Sequence, residues 1–414
     1  MPASELLSKG NWRDSVWYRL TLFVFFVYLF LVGIKLFGGS IDLAGDGYAN
    51  QLLSGFSNPF AGLAVGILVT AIMQSSSATT SLVIGMVGMG QIEIAQAIPV
   101  IMGANIGSTI TCSIISLTHV GDKKIFSRVF SCANVHDMYN CLIALILFPT
   151  EIITRQVFGV GLLEFAASSL SGFVSSGGAE AGTGFNPIHA AVAPVYGLLL
   201  GFFKWLPLFS DGWKALPGIV FSLGVIIVSL IAITKNMQVL MANKMEVWLN
   251  RVLKKNAYIG LSIGLIMTMI VQSSSITTSL LIPMYAAGIL GARNAFPIIV
   301  GANIGTTITG LLASTVCESS SAITIALVHV LFNVSGMLMF FVIPFMRNVP
   351  IFLASHYGHL VERSRLWAIG FIAMLFFVIP ITGMFIWKEP APTVPSETSN
   401  TTPESSPSIH IKGE

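Results

Sequence analysis

Charged side chains are scarce in this chain of 414 residues: Asp, Glu, Lys and Arg together make up only 9% of it. Soluble domains carry about 25% charged residues, so this composition cannot cover a water-facing surface. Hydrophobic residues make up 54% of the sequence, and the mean hydropathy is +0.82. We therefore expect an all-α polytopic membrane protein whose outer surface contacts the lipid bilayer.

Cysteine is also rare. The four cysteines lie in or beside apolar segments, without the paired spacing of a disulfide framework or a metal site; they are Cys112, Cys132, Cys141 and Cys317. The net charge of +3 is small and gives no reason to expect a nucleic-acid partner. The first apolar run, 20–37, is too long for a signal-peptide core, so we expect no cleaved signal.

Seven apolar runs have the length of a spanning helix, about 20 residues. Two further apolar runs, 59–90 and 258–290, are each interrupted near the middle by Gln-Ser-Ser-Ser. The tail 388–414 is rich in Pro, Ser, Thr and Glu and is predicted to be disordered. The seven predicted spans are 17–37, 95–118, 129–149, 215–234, 295–316, 321–345 and 369–387.

The chain contains an internal repeat. "QSSSATTS" at 74–81 returns as "QSSSITTS" at 272–279, and "GANIGSTIT" at 103–111 returns as "GANIGTTIT" at 301–309. A third pair follows after a slip of five residues, with "ANVHDMYN" at 133–140 matching "ALVHVLFN" at 326–333. Three matches in the same order predict two copies of one structural unit.

The distribution of Lys and Arg predicts how the copies are oriented, because short basic loops stay in the cytoplasm. The N-terminus and the loops 119–128, 235–257 and 346–368 are basic, whereas loop 38–58 has Asp and no base. These assignments agree only if 59–90 and 258–290 each enter and leave the membrane on one face. Each is then a re-entrant hairpin with a QSSS tip. The hairpins enter from opposite sides, so the repeats have inverted topology.

This topology divides the chain into five parts. A cytoplasmic N-terminal segment 1–16 precedes repeat 1 at 17–149, an extracytoplasmic linker at 150–214 and repeat 2 at 215–387. On this count the tail 388–414 lies outside the cell. A multi-pass protein of the inner (plasma) membrane is expected.

The polar clusters indicate a binding site, because irregular backbone at membrane depth is tolerated where it lines a wet cavity or is buried in protein. Ser and Thr hydroxyls and Gln amides both donate and accept hydrogen bonds. Neither repeated motif contains Lys, Arg, Asp or Glu, so an oxyanion held there needs bound cations to balance its charge. Oxygen ligands suit a hard cation. The motifs therefore predict coupled binding of an anion and a hard monovalent cation such as Na⁺.

Asp137 is the one acid near the middle of a predicted span of repeat 1, and repeat 2 has Val330 at the matching position. An ionisable group at such depth is a functional hypothesis, here an additional cation site in one repeat. A structural acid with satisfied hydrogen bonds is the alternative. His136 and His329 are interpreted mainly as helix–helix hydrogen-bonding residues, and Ser, Thr and Gly in membrane helices are often packing residues.

The paired QSSS hairpins and paired "GANIG[ST]TIT" segments, with "GDKKIFSRVFSCANVHDMYN" and "LFNVSGMLMFFVIPF", resemble the type II sodium-dependent phosphate cotransporters. The resemblance is to bacterial-type members, since the linker between the copies is short. It implies Na⁺/phosphate symport, a substrate site at the hairpin tips and a homodimer. Asp137 matches the acid of electrogenic members, and Ser131 stands where those members tend to have Ala.

The resemblance and the repeat together give the predicted site residues. For phosphate they are Gln74, Ser75, Ser76, Ser77, Gln272, Ser273, Ser274, Ser275, Asn105 and Asn303. For sodium, the co-transported ion, they are Gln272, Ser273, Thr306, Thr309, Ser108, Thr111 and Asp137.

Three other functions stay open at this point. An intramembrane hydrolase would use Ser77 or Ser275 with a histidine, although a nucleophile is usually needed once and this motif is duplicated. A symporter of a dicarboxylate or sulfate would also use Ser, Thr and Asn at its hairpin tips. A passive channel would show no cation dependence of anion uptake.

Overall fold

The computed structural model describes residues 15–43, 58–177, 186–206, 215–252, 256–317 and 319–386. Within these ranges the chain is helical or connects helices, and it forms no strand. Eight of the described helices are long and apolar enough to cross a membrane. The all-α, multi-pass fold predicted from composition and periodicity is therefore confirmed.

The described part of the first half contains eight α-helices before residue 206. They are α1 (Val16–Asp42), α2 (Pro59–Met73), α3 (Ser76–Gly88), α4 (Ile94–Gly107), α5 (Ile110–Ser116), α6 (Lys123–Phe158), α7 (Leu162–Gly177) and α8 (Pro187–Trp205).

The described part of the second half contains nine α-helices, in which two short helices stand in the place of α3 and one continuous helix stands in the place of α4 and α5. They are α9 (Ala215–Val252), α10 (Ala257–Val271), α11 (Ser274–Ser279), α12 (Ile282–Ala286), α13 (Ala292–Ser314), α14 (Ser320–Met337), α15 (Asn348–Arg363), α16 (Leu366–Ala373) and α17 (Ile379–Ile386). A π-helical turn, Leu338–Val342, extends α14, and another, Met374–Val378, joins α16 to α17.

The segment predicted as a linker, 150–214, contains more structure than the sequence suggested. Helix α6 continues to Phe158, and α7 and α8 follow. Helix α8 is itself a candidate span, with the weakest apolar window of the eight. Asn186 caps α8 through its side chain and Pro187 stands at its first turn, an ordinary helix start. Helix α15 likewise occupies the predicted loop 346–368.

Several predictions fall outside the described residues. The tail 388–414 and the basic residues Lys9, Arg13, Lys254 and Lys255 are among them. Their predicted disorder and their cytoplasmic placement stay predictions.

Glycines bring the helices of each half into backbone contact. A Cβ added at Gly66 of α2 would lie 2.2 Å from the carbonyl oxygen of Val100, and one at Gly103 of α4 would lie 2.1 Å from that of Leu63. Real Cβ atoms do not approach that closely, so only Gly fits. The Gly residues of the first GANIG motif are thus helix-packing residues, as in other close membrane-helix pairs.

The second half repeats this contact at the matching positions, 198 residues later. A Cβ at Gly264 of α10 would lie 2.1 Å from the carbonyl oxygen of Ile298, and one at Gly301 of α13 would lie 2.0 Å from that of Leu261. The pairs α2–α4 and α10–α13 are therefore built alike.

The first helices of the two halves, α1 and α9, run antiparallel against each other. Arg19, near the start of α1, donates from Nη1 to Asn236 Oδ1 at 3.2 Å. Near the end of α1, a Cβ added at Gly218 would meet Ser40 Oγ at 2.5 Å. As the residue number rises along α1 it falls along α9, so these matching helices point in opposite directions.

Candidate functional site

Each QSSS motif is a break between two helices. Helix α2 ends at Gln74 with φ 51°, and α10 ends at Gln272 with φ 60°. Among the described residues these are the only non-glycine residues with positive φ. A left-handed residue stops a helix, but outside glycine it costs about 1–2 kcal/mol. Strain kept at two matching positions is typical of functional sites.

The serine after each Gln starts the next helix. Ser75 and Ser273 are extended, and their hydroxyls accept from the amides of Ala78 and Ile276 at 3.2 and 3.4 Å. Both are N-cap residues, for which Ser is favoured because it satisfies a free amide.

A hydrogen bond between two threonine side chains, which we call the Thr–Thr brace, joins the helices on the two sides of each break. Thr70 donates to Thr79 across the first break and Thr268 to Thr277 across the second, both at 2.9 Å between hydroxyl oxygens. All four side chains are buried. These hydrogen bonds explain why the polar run extends past the three serines.

A single cavity of about 450 Å³ is lined by both breaks. The third wall of the cavity comes from α9. Within the described residues no acidic side chain lines it. The lining residues are Met73, Gln74, Ser75, Ser76, Ser77, Ala78, Thr111, Ile227, Leu230, Ile231, Thr234, Lys235, Gln238, Gln272, Ser273, Ser274, Ser275 and Ile276.

The two breaks also contact the helices of the opposite half. Ser77 of the first break donates to the Thr309 hydroxyl of the opposite half at 3.4 Å, and Thr309 donates to Gln272 Oε1 of its own half at 2.8 Å. In the reciprocal contact, Ser275 donates to the carbonyl oxygen of Ser108 at 3.5 Å. Ser77 and Ser275 thus join the two halves, and these hydrogen bonds are not to histidines, as a hydrolase would require.

The first break lacks the glutamine contact that the second has. Gln74 is exposed, whereas Gln272 is buried. Thr111 matches Thr309, yet its buried hydroxyl has no hydrogen-bond partner among the described residues. The two breaks therefore share a backbone but differ in side-chain contacts.

The predicted phosphate residues Asn105 and Asn303 are buried and do not line the cavity. Asn303 donates to Asn140 Oδ1 at 2.8 Å and accepts from His136 Nε2 at 2.6 Å. Asn333 donates to Asn105 Oδ1 at 3.1 Å. Both asparagines therefore join the two halves, with His136 in the helix–helix role expected for it. Their contact with phosphate stays a prediction.

The predicted sodium residues Ser108 and Thr306 are also buried outside the cavity lining. Ser108 donates to the carbonyl oxygen of Asn105 at 2.8 Å, and Thr306 to that of Ala302 at 3.0 Å. Their hydroxyl oxygens keep lone pairs for a cation, because each hydroxyl has donated its hydrogen within its own helix.

Asp137 is fully buried in a polar cluster of repeat 1. Ser113 donates to Asp137 Oδ2 at 2.7 Å, and its hydroxyl lies 3.5 Å from Asn134 Oδ1. The other carboxylate oxygen, Oδ1, accepts no hydrogen bond within the described residues, and Thr109 lies beside the same carboxylate. Carboxylate, hydroxyl and amide oxygens together suit a hard cation.

Sequence reasoning singled out Asp137 but missed Ser113 and Asn134. Comparing the repeats position by position would have found them, because all three polar residues are replaced by apolar ones in repeat 2. The matching residues are Leu311, Leu327 and Val330. Within the described residues, no group of three or more His, Cys, Asp or Glu side chains could hold a metal ion.

The sequence matches one family of known proteins. The family model described as Na⁺/Pi-cotransporter matches residues 29–172 and 225–353. This chain belongs to the Na⁺/Pi-cotransporter family. The matched ranges include both QSSS breaks, both GANIG motifs and Asp137, so the residues on which the resemblance rested all lie within the family match.

Curated relatives of the family agree with this assignment. The chain is 30% identical to sodium-dependent phosphate transport protein 2A of Ovis aries, over 92% of this chain and 69% of that protein. It is 29% identical to protein 2B of Pongo abelii and of Homo sapiens, each over 88% of this chain and 64% of the relative. The chain thus spans about two thirds of these relatives. No solved structure matches it.

Proposed function

We propose that this chain is a secondary active symporter that couples inorganic phosphate to Na⁺. The observation that carries the proposal is the cavity lined by both QSSS breaks. Membership of the Na⁺/Pi-cotransporter family and the names of the relatives support it. The proposal assigns binding and movement of the substrate, without chemical change to it.

The phosphate is proposed to bind between Ser75 and Ser273. Hydroxyls of the two serine clusters can donate to its oxygens, and the start of α3 directs free backbone amides to the same space. The described lining contains no acidic side chain, so no carboxylate there repels a phosphate anion. Gln74 and Gln272 flank the clusters as further donors.

Sodium is proposed to bind at two kinds of place. The first is around Gln272, Ser273, Thr306 and Thr309, with Ser108 and Thr111 as the matching residues of repeat 1. The second is Asp137 with its neighbour Ser113, which has no polar counterpart in repeat 2. A carboxylate that binds one further cation supports electrogenic transport, because the sodium ions then carry more charge than the phosphate.

The breaks are proposed to be the tips of two re-entrant hairpins in inverted repeats. The antiparallel pairing of α1 and α9 supports the inversion, since these are the matching first helices. Alternating access is then movement of the hairpin core against the other spans. A multi-pass position in the plasma membrane with a cytoplasmic N-terminus, and a homodimer, complete the proposal.

Uptake of labelled phosphate into proteoliposomes tests the proposal. We expect uptake that requires an inward sodium gradient, is inhibited by arsenate, and rises when the interior is made negative. Phosphate uptake that ignores sodium would exclude a symporter and favour a channel. Competition by succinate or sulfate without competition by arsenate would assign the site to another oxyanion.

A further inference from the structure

One charged side chain lines the described part of the cavity, and it comes from outside both repeated motifs. Lys235 of α9 faces the space that the breaks of both halves enclose. The side chain is exposed. The QSSS motifs contain no basic residue, and the basic residue that lines their cavity, Lys235, comes from α9.

Helix α9 presents one continuous face to the cavity. Its lining residues are spaced by three and four positions, which puts them on one side of a helix. The stripe is apolar over its first turns and polar over the next, where Lys235 stands between Thr234 and Gln238. The stripe consists of Ile227, Leu230, Ile231, Thr234, Lys235 and Gln238.

The neighbouring residue Asn236 lies on the side of α9 that packs against α1. Asn236 accepts the hydrogen bond from Arg19 of α1, on a different side of the helix from the cavity stripe. The packing face and the cavity face of α9 are therefore separate, and Lys235 belongs to the cavity face.

Charge decides what Lys235 attracts. The described lining offers it no carboxylate partner, and an ammonium group in a concave, partly apolar space raises the local concentration of anions. A lysine that flanks a predicted apolar run, here 215–234, also marks the cytoplasmic side, but that role alone would not require it to face the breaks.

We propose that Lys235 is a binding residue that holds the phosphate anion electrostatically in this cavity, beside the QSSS breaks. The inference rests on the proposed function, because it takes phosphate as the anion. It adds a charged contact from α9 to a site whose motifs contain only neutral side chains.

Equilibrium binding of labelled phosphate to the purified full chain, at saturating sodium, measures this contact. The result does not depend on how the protein is oriented in a membrane. Lys235→Gln is expected to weaken phosphate binding about three- to ten-fold, the range for one solvated charge near a divalent anion. Lys235→Arg should restore it. Lys123→Gln is the matched control, since Lys123 is an exposed lysine that does not line the cavity.

The dependence of phosphate binding on ionic strength is a second test. A purely structural role of Lys235 would not change this dependence. Added choline chloride should weaken phosphate binding to the unmutated chain and to Lys123→Gln, because salt screens a solvated charge. It should have less effect on Lys235→Gln. The concentration of sodium that gives half-maximal phosphate binding should stay within about two-fold of the unmutated value.

The outcomes separate this inference from the proposed function. Sodium-dependent phosphate binding with equal affinity in the unmutated chain and Lys235→Gln overturns the role of Lys235 alone. Absence of phosphate binding by the unmutated chain overturns both. If Lys235→Gln does not fold, phosphate affinity of the unmutated chain that is independent of salt would still overturn the inference.

Discussion

The two halves of this chain share a scaffold and differ in their polar interior. Both have a left-handed Gln at the break, a Ser N-cap, a Thr–Thr brace and a glycine-mediated helix pair at matching positions. Around Asp137, however, repeat 1 places three buried polar side chains where repeat 2 has Leu311, Leu327 and Val330. The shared part lines the cavity, and the part that differs is the Asp137 cluster that we propose as a separate cation site.

Substitution of the packing glycines should have the largest effect, and an equal one in both halves. Gly103→Val and Gly301→Val each put side-chain atoms against a backbone carbonyl that cannot move away. We expect each to destabilise the protein by about 3 kcal/mol, the upper end of the usual cost of overpacking, seen as loss of monodisperse protein in detergent. Gly197→Val is the control, because no atom lies within 4 Å of a Cβ there. Unequal losses would break the structural equivalence of the halves.

Asp137→Asn should have the next largest effect, and only in repeat 1. Removing the carboxylate removes the charge that would bind the additional cation, so phosphate uptake should lose its dependence on membrane potential. The measurement is uptake into proteoliposomes at imposed potentials. Val330→Ala, at the matching position of repeat 2, should keep the voltage dependence of the unmutated chain. Voltage-dependent uptake by Asp137→Asn would refute the assignment of the additional cation to Asp137, and voltage-independent uptake by the unmutated chain would refute electrogenic transport.

Ser113→Ala tests the same cluster more finely. Its hydroxyl donates to Asp137 Oδ2 at 2.7 Å, and a hydrogen bond to a charged group contributes about 1.5–3 kcal/mol. The sodium concentration for half-maximal uptake should rise about ten-fold, with little change in phosphate affinity at saturating sodium. Leu311→Ala is the repeat 2 control, and a similar rise there would argue against a site specific to repeat 1.

The smallest effect is expected at the two glutamines. Gln272→Ala removes the buried hydrogen bond from Thr309, whereas the exposed Gln74 has no matching contact with Thr111. Gln272→Ala should therefore lower the free energy of unfolding by about 1 kcal/mol more than Gln74→Ala. Thermal unfolding in detergent measures the difference, and equal values would remove this distinction between the breaks.

Much of the fold could be predicted because hydrophobic runs and exact repeats carry long-range information. The apolar runs 59–90 and 258–290 indicated the helix breaks, because four consecutive polar residues interrupt each run near its middle. Helix α8 was missed because its apolar window is weak and Gly- and Ser-rich residues precede it. Helix α15 was missed because its residues are amphipathic and resemble a basic loop.

The sequence predicted which repeated motifs line the cavity, but it did not predict the other residues that line it. Ser75 and Ser273 do line one cavity, as expected for hairpin tips that meet. Asn105 and Asn303 lie in contacts between the halves instead, because an amide on a buried helix face meets whichever helix packs there. Lys235 belongs to no repeated motif, so only tertiary packing brings it to the cavity.

The glycine contacts constrain how such a protein can move. With carbonyl oxygens seated against Gly66, Gly103, Gly264 and Gly301, neither α2 and α4 nor α10 and α13 can slide past each other without losing close packing. Each break therefore travels with its partner helix as one rigid block. A change of the accessible side would shift two preassembled blocks relative to α1 and α9 and leave the internal shape of each block unaltered.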